Sequence, residues 1–332
     1  MATRTGTTEG GKRVLVAGIG GELGSLTASL FENEPWVGPV MGIDVDPPRR
    51  RLRRAEVHLI DPTDRDRIVD EVTRFNPHVM IHLAVWEPDA RAGTAVATRF
   101  THSATTAILG AAAECPAMET VVVRSGIEIY GRRSGSPTRP DESTRLDPTS
   151  EYGRTLFDLE QTATSVGERV GLSVARLRLA SVVGPHVPSP LGRLLRQPAV
   201  PFSALSDSPF TLVEDAHAAR AFVAAARAQY AGALNVVSPG AITVYQALRR
   251  GRRLPLPLLG PEWFIARQIS HLFGAPIPDH VMEVMHRGRL ANGQRLQQEL
   301  GVAPTISAAE VIDRLYAWPS VIHLKNPIQA VA

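Results

Sequence analysis

The chain of 332 residues has one cysteine, Cys115, which excludes internal disulfides and any cysteine-built zinc site and fits a reducing compartment. Aromatic residues make up only 5% of it. A nucleic-acid groove would interleave basic side chains with exposed aromatics, and no such stretch occurs, so no nucleic-acid partner is expected. Charge of neither sign dominates, with 36 Lys and Arg against 33 Asp and Glu, net +3. No run is long and apolar enough to cross a membrane, so no membrane partner is expected. The opening MATRTGTTEGGK has no apolar core of a signal peptide; residues 1–11 read as a flexible tail and the cytoplasm as the compartment. The ten histidines show no metal-ligand spacing, and no metal site is predicted.

What is present is enough apolar material, 44% of residues, to bury a large core. Short β-branched runs at Arg13–Ala17, Val40–Asp44, Val57–Asp61, Val79–Ala84 and Thr120–Ser125 alternate with segments of helical period. One helix sets Leu23, Leu26, Leu30 and Phe31 on a single stripe; another runs from about Ala90 to Glu114. This alternation predicts an α/β fold, a Rossmann-type doubly wound parallel sheet. A polar, proline-punctuated loop follows Gly131, then a helix over about 151–170, a strand over 173–180, a helix over about 215–229 and a strand over 233–238. The expected organisation is a dinucleotide-binding domain over 12–185 and a smaller, interleaved substrate lobe over 186–325. Within it, segments from about 211 to 238 return to the first domain, and residues 326–332 form a second tail.

The motif that carries most chemistry is VLVAGIGGELGS, Val14 to Ser25. Gly18, Gly21 and Gly24 lie between a predicted strand and a predicted helix, where glycine permits a tight turn, close approach of a pyrophosphate and close helix packing. Gly20, Glu22 and Leu23 complete the loop, and the helix N-terminus offers free N–H groups to phosphate. Asp44 ends the next strand, 20 residues after Gly24, the spacing of a carboxylate that accepts from an adenosine ribose. Its charge would repel a 2′-phosphate, so NAD is expected in preference to NADP. Asp61, at the end of the third strand, is either an adenine neighbour or a helix cap. Leu83, Ala84 and Val85 end the fourth strand beside the cofactor. Arg49, Arg50, Arg51, Arg53 and Arg54 form either a solvated loop or a polar wall near the adenosine.

With HLAVWEP (His82–Pro88), SGIEIYG (Ser125–Gly131), EYGRTLFDLEQ, RLRLASVVGP and TLVEDAHAA in the same order, the chain resembles the extended short-chain dehydrogenase/reductase family, the NAD-dependent epimerases and dehydratases, over nearly its whole length. It looks most like actinobacterial members described as UDP-glucose 4-epimerase-like. The resemblance implies a Tyr that exchanges a proton, a Lys that holds the nicotinamide ribose and acidifies the Tyr, and a Ser or Thr that positions the substrate oxygen. The Tyr maps to Tyr152. The Lys maps to Leu156 and the hydroxyl residue to Gly126, with Ser125 beside it on the other face of an ideal strand. Lowering a phenol from its ordinary value near 10 to about 7 needs roughly 4 kcal/mol of electrostatic help, which a leucine does not supply. Arg154, at i+2, points about 200° around the helix from Tyr152. The arginine that grips a sugar-nucleotide diphosphate in the family maps to Ser208, for which Arg193 or Arg196 could compensate, and an Asn maps to Ser181. His82, Glu87, Glu128 and Tyr130 are the remaining acid–base candidates at the nicotinamide end, Glu87 and Glu128 also as substrate contacts.

Two functions follow from these residues. One is an atypical NAD-dependent oxidoreductase or epimerase with a degenerate Ser/Tyr/Lys site, acting on a small or nucleotide-linked, sugar-bearing substrate. The other is a catalytically silent protein that binds NAD(H) or a metabolite and regulates. The resemblance also implies a homodimer through two helices, one of them carrying Tyr152.

Overall fold

Apolar runs bounded by polar turns become strands buried on both faces. The computed structural model describes residues 10–89, 92–259 and 277–317. Its strands are β1 (Lys12–Ala17), β2 (Val37–Asp44), β3 (Glu56–Leu59), β4 (Val79–His82), β5 (Thr120–Gly126), β6 (Ser173–Leu179), β7 (Ser181–Val183), β8 (Ala199–Ser203), β9 (Leu212–Glu214), β10 (Gly232–Val236) and β11 (Leu254–Leu258). Seven of them form one sheet in the order β10-β6-β5-β4-β1-β2-β3, each pair parallel. The order reverses between β1 and β4. In doubly wound sheets the crevice at that switch, outside the carboxyl ends of the strands, is where ligands bind.

The helices are α1 (Glu22–Phe31), α2 (Arg65–Phe75), α3 (Thr94–Glu114), α4 (Glu151–Val170), α5 (Pro190–Leu195), α6 (Asp215–Arg227), α7 (Val244–Arg250) and α8 (Asp279–Arg287), followed by two near the C-terminal end. Helix α1 packs with α6, while α2 packs on α3 and α3 on α4, which makes a helical layer on each face of the sheet. Helix α4 is placed by its ends and its stripe. Ser150 caps it, accepting from Gly153 N at 3.1 Å, and Gly171 closes it in the left-handed region at φ 74°. Tyr152, Leu156, Leu159 and Ala163 recur every three to four residues and are buried together.

The strand expected at 233–238 does return to the main sheet, as β10 on the outer side of β6. Helix α3 begins at Thr94, after Gly93, later than the expected Ala90, which lies outside the described residues. The expected tails fall there too, apart from Gly10 and Gly11. Two parallel pairs had no counterpart in the sequence reading: β7 with β9, and β8 with β11. A second apolar cluster, with Leu191, Phe210, Ile242, Leu248 and Met285 at its centre, is separate from the one around the sheet. Among the described residues no helix is long and apolar enough to cross a membrane.

Candidate active site

The crevice at the sheet's switch point is a groove whose floor is the glycine loop. Gly18 leaves β1 at φ +91°, and a Cβ on it would lie 2.5 Å from the Leu83 carbonyl carbon, so the loop crosses directly over the end of β4. A Cβ on Gly24 would lie 1.9 Å from Gly18 O, so only glycine lets α1 approach this closely. Gly21 differs. A Cβ there meets just Gly18 O, at 3.7 Å, and otherwise opens toward the groove. Gly21 is also the N-terminal cap of α1 and has no side chain to cover the helix's free N–H groups. A cradle that glycines leave open at a helix N-terminus fits a pyrophosphate.

Asp44 closes the loop from β2. Its carboxylate accepts from Gly20 N at 2.8 Å, Val45 N at 2.7 Å and Asp46 N at 3.2 Å. Burial raises its pKa, and those three backbone donors oppose the rise. All of Gly18, Gly20, Gly21, Glu22, Leu23, Gly24 and Asp44 line one wall of the groove, and Leu83, Ala84 and Val85 line the other. Of the arginine cluster, Arg49 lines the groove, whereas Arg50 pairs with Glu22 at 2.6 Å. The backbone N–H groups of Arg53 and Arg54 donate to the buried Glu32. Asp61 lies outside the groove: it is exposed and accepts from Thr63 N at 2.8 Å, while Asp64 caps α2.

At the far end the groove reaches Trp86, Glu87, Asp89 and Arg124. Glu87 Oε1 lies 3.0 Å from His280 Nε2, and Glu87 Oε2 lies 3.7 Å from the Arg124 guanidinium. The His280 ring lies against Tyr152, tilted by 44° with centroids 4.7 Å apart. Tyr152 is buried and does not line the groove. Burial pushes its phenol well above the ordinary value; the Arg124 charge opposes this, and Glu87 and Glu128 reinforce it. Leu156 is fully buried on the same face of α4, and a Cβ built on Gly126 would lie 2.3 Å from Glu128 Oε2 and 2.9 Å from Leu156 Cδ1. The space of a hydroxyl side chain at 126 is therefore held by a carboxylate. Glu128 is paired with Arg289 at 3.4 Å, and Arg289 also bonds Glu283.

The sequence profile of the NAD dependent epimerase/dehydratase family matches residues 14–230, which takes in the groove, β5 and α4. The chain belongs to this family. An uncharacterized protein of Mycobacterium tuberculosis (strain ATCC 25618 / H37Rv) is 29% identical over 329 residues, covering 95% of this chain and 86% of its own. One of Mycobacterium bovis matches to the same extent. Among solved structures, MoeE5 in complex with UDP-glucuronic acid and NAD superposes with a TM-score of 0.73 at 22% identity, over 92% of this chain and 98% of that one. A UDP-glucose 4-epimerase from Brucella ovis in complex with NAD gives 0.72 at 18%, over 92% and 97%. These likenesses establish the Rossmann-type epimerase fold.

Within that family fold, several sequence candidates sit away from the groove. Ser125 turns to the other face of β5, where its Oγ is buried without a hydrogen-bond partner. His82 is fully buried, its Nε2 2.9 Å from Thr105 Oγ1, and burial drops its pKa to about 4. Tyr130 bonds Asn235 at 2.8 Å and Arg178 at 2.9 Å inside the core and does not line the groove. Ser181, on β7, does not line the groove, though its neighbour Val182 does. Arg193, on α5, bonds Asp89 of the groove and does not itself line it. Arg196 donates to the Pro185 carbonyl at 2.8 Å. Arg154 is exposed, as its helical position demands. The sequence reading missed Arg124, Asp89 and His280. For Arg124 a signal existed, since a lone cation in the buried run VVVRSG needs a partner.

Proposed function

We propose that the chain is an NAD-dependent oxidoreductase or epimerase of altered chemistry, acting on a small or nucleotide-linked, sugar-bearing substrate. The observation that carries this reading is the convergence on one groove of the open glycine cradle, the α1 N-terminus and Asp44, with ionisable groups gathered at the opposite end. The N–H groups at Gly21 to Gly24 would hold the pyrophosphate and Asp44 the adenosine ribose. NAD supplies a hydride acceptor when bound. Asp44 and Asp46, both on the groove, oppose a 2′-phosphate, with Arg49 the single nearby cation of the cluster that faces the same space. At the reacting end Glu87, one-fifth exposed, is placed to take a proton from a substrate hydroxyl. The substrate class draws support from MoeE5 and the Brucella ovis epimerase, whose structures carry NAD, the first also a UDP-sugar acid.

A specific observation favours a second reading, a silent NAD(H)-binding regulator: Leu156 leaves no lysine beside a phenol that burial keeps protonated. Calorimetry with NAD, NADH and NADPH tests the shared core of both. Wild-type protein is expected to bind NAD and NADH more tightly than NADPH, and Asp44→Ala to narrow that gap. Gly21→Leu, whose Cβ is unobstructed, should abolish binding in a protein that still folds, with only the small loss in melting temperature of a poorer helix cap. Folded wild-type protein that binds none of the three would overturn the proposal. Turnover of UDP-galactose is expected to be lower by about 10²–10⁴ than a complete Tyr–Lys site supports; turnover at full rate would restore the ordinary epimerase reading.

A further inference from the structure

The groove ends on a guanidinium that none of the sequence motifs requires. Arg124 stands on β5 two residues before Gly126, on the same face of the strand. Its side chain is 19% exposed, lines the groove and reaches two groups from that position. It donates to the Val85 carbonyl at 3.4 Å and approaches Glu87 at 3.7 Å. Glu87 is held from its other oxygen by His280, whose ring lies against Tyr152. The four side chains thus form a chain of contacts, Arg124 to Glu87 to His280 to Tyr152, drawn from β5, the segment after β4, α8 and α4.

A guanidinium has N–H donors and no acceptor, and Val85 and Glu87 leave donors over for a ligand in the groove. Helix α4 offers no competing cation one turn on, since Leu156 and Glu128 fill the space beside Gly126. An arginine also stays charged at every pH the fold survives.

We propose that Arg124 is the positioning cation of this site, supplied from the strand in place of the helix: it holds Tyr152 in place through Glu87 and His280 and would hold the nicotinamide–ribose end of the dinucleotide with its remaining N–H groups. The inference rests on the reading of the groove as a dinucleotide site. NADH, which carries the nicotinamide riboside, and ADP, which lacks it, separate the two. In Arg124→Gln, NADH affinity should fall about tenfold or more while ADP affinity stays within about twofold, because a hydrogen bond to a charged group is lost at one end alone. Arg124→Lys, which restores the charge, should recover most of the loss. The ring-carbon NMR signal of Tyr152, identified by its absence in Tyr152→Phe, should move in Arg124→Gln without any ligand. Equal losses for NADH and ADP, or no loss for either, would overturn the assignment and leave the dinucleotide reading intact. Folded wild-type protein that binds neither ligand defeats the dinucleotide reading, and in that case an unmoved Tyr152 signal in Arg124→Gln removes the Arg124–Tyr152 coupling as well.

Discussion

Gly126 shows how one missing side chain reorganises its neighbours. The carboxylate of Glu128 occupies the place a hydroxyl side chain would take, and Leu156 closes it from the helix. Restoring a serine there adds atoms to a filled space, and overpacking of this kind costs about 1–3 kcal/mol. Gly126→Ser is therefore expected to lower stability by that amount in urea unfolding, and the same serine to cost less when it is added to a Glu128→Ala protein than to the wild type. If the two changes are additive, the contact is not what excludes the serine. The same scale explains what the sequence made readable. Gly18, Gly21, Gly24 and Asp44 are local demands of one turn and the strand beside it, so spacing alone located them on the groove. Arg124, Glu87, His280 and Tyr152 lie up to 193 positions apart in the chain, and no periodicity brings Glu87 to His280.

Elements were legible where their patterns were long. Strands β1, β2 and β4 to β6 and helices α1, α2, α4 and α6 arise from apolar runs or stripes that need no distant partner to be seen. Strands β7, β9, β8 and β11 are three to five residues each, and β11 reads LPLPL, whose prolines argue against a strand until β8 pairs with it at an edge. How α4 is tied to the sheet is likewise a tertiary matter. Arg178 on β6 donates to Glu160 on α4 through two bonds of 2.9 and 2.8 Å, and to Tyr130 at 2.9 Å, all buried. Tyr130 passes the connection to Asn235 on β10, whose N–H is held by Glu142 of the proline-rich loop at 2.7 Å. Removing one partner of such a pair leaves a buried charge alone, which costs about 3–5 kcal/mol. Arg178→Met should lose about that much in denaturant unfolding and raise backbone hydrogen exchange in the loop around Glu142. A loss under about 1 kcal/mol would mean that water replaces the guanidinium there.

For the molecule as a whole, burial of neutral histidine sets the response to acid. His82 on β4 and His217 on α6 are both buried, and burial drops each to about 4, with Arg220 adding to the effect at His217. A depressed folded-state value means that the unfolded chain binds the proton more readily. The stability these residues allow is present above the unfolded value near 6.5 and is lost as pH falls through the interval toward about 4. By pH 4.5 the loss is about 2–3 kcal/mol for each histidine, large against the 5–15 kcal/mol of a typical fold. Asp44, Asp215 and Glu142 act with the opposite sign, because burial raises each of them and the folded state holds their protons more tightly. Their contribution grows as pH falls through their raised values toward the ordinary carboxylate range, and so offsets part of the histidine loss at the acid end of the interval. Between pH 7 and pH 4.5 the midpoint of urea unfolding should therefore fall steeply in the wild type. His82→Gln and His217→Gln should each flatten that fall by about 2–3 kcal/mol, and the double variant by about their sum, since the two residues lie on different elements without a shared partner. A wild-type midpoint that holds level across this interval, or an unchanged slope in the double variant, would place the acid sensitivity elsewhere in the fold.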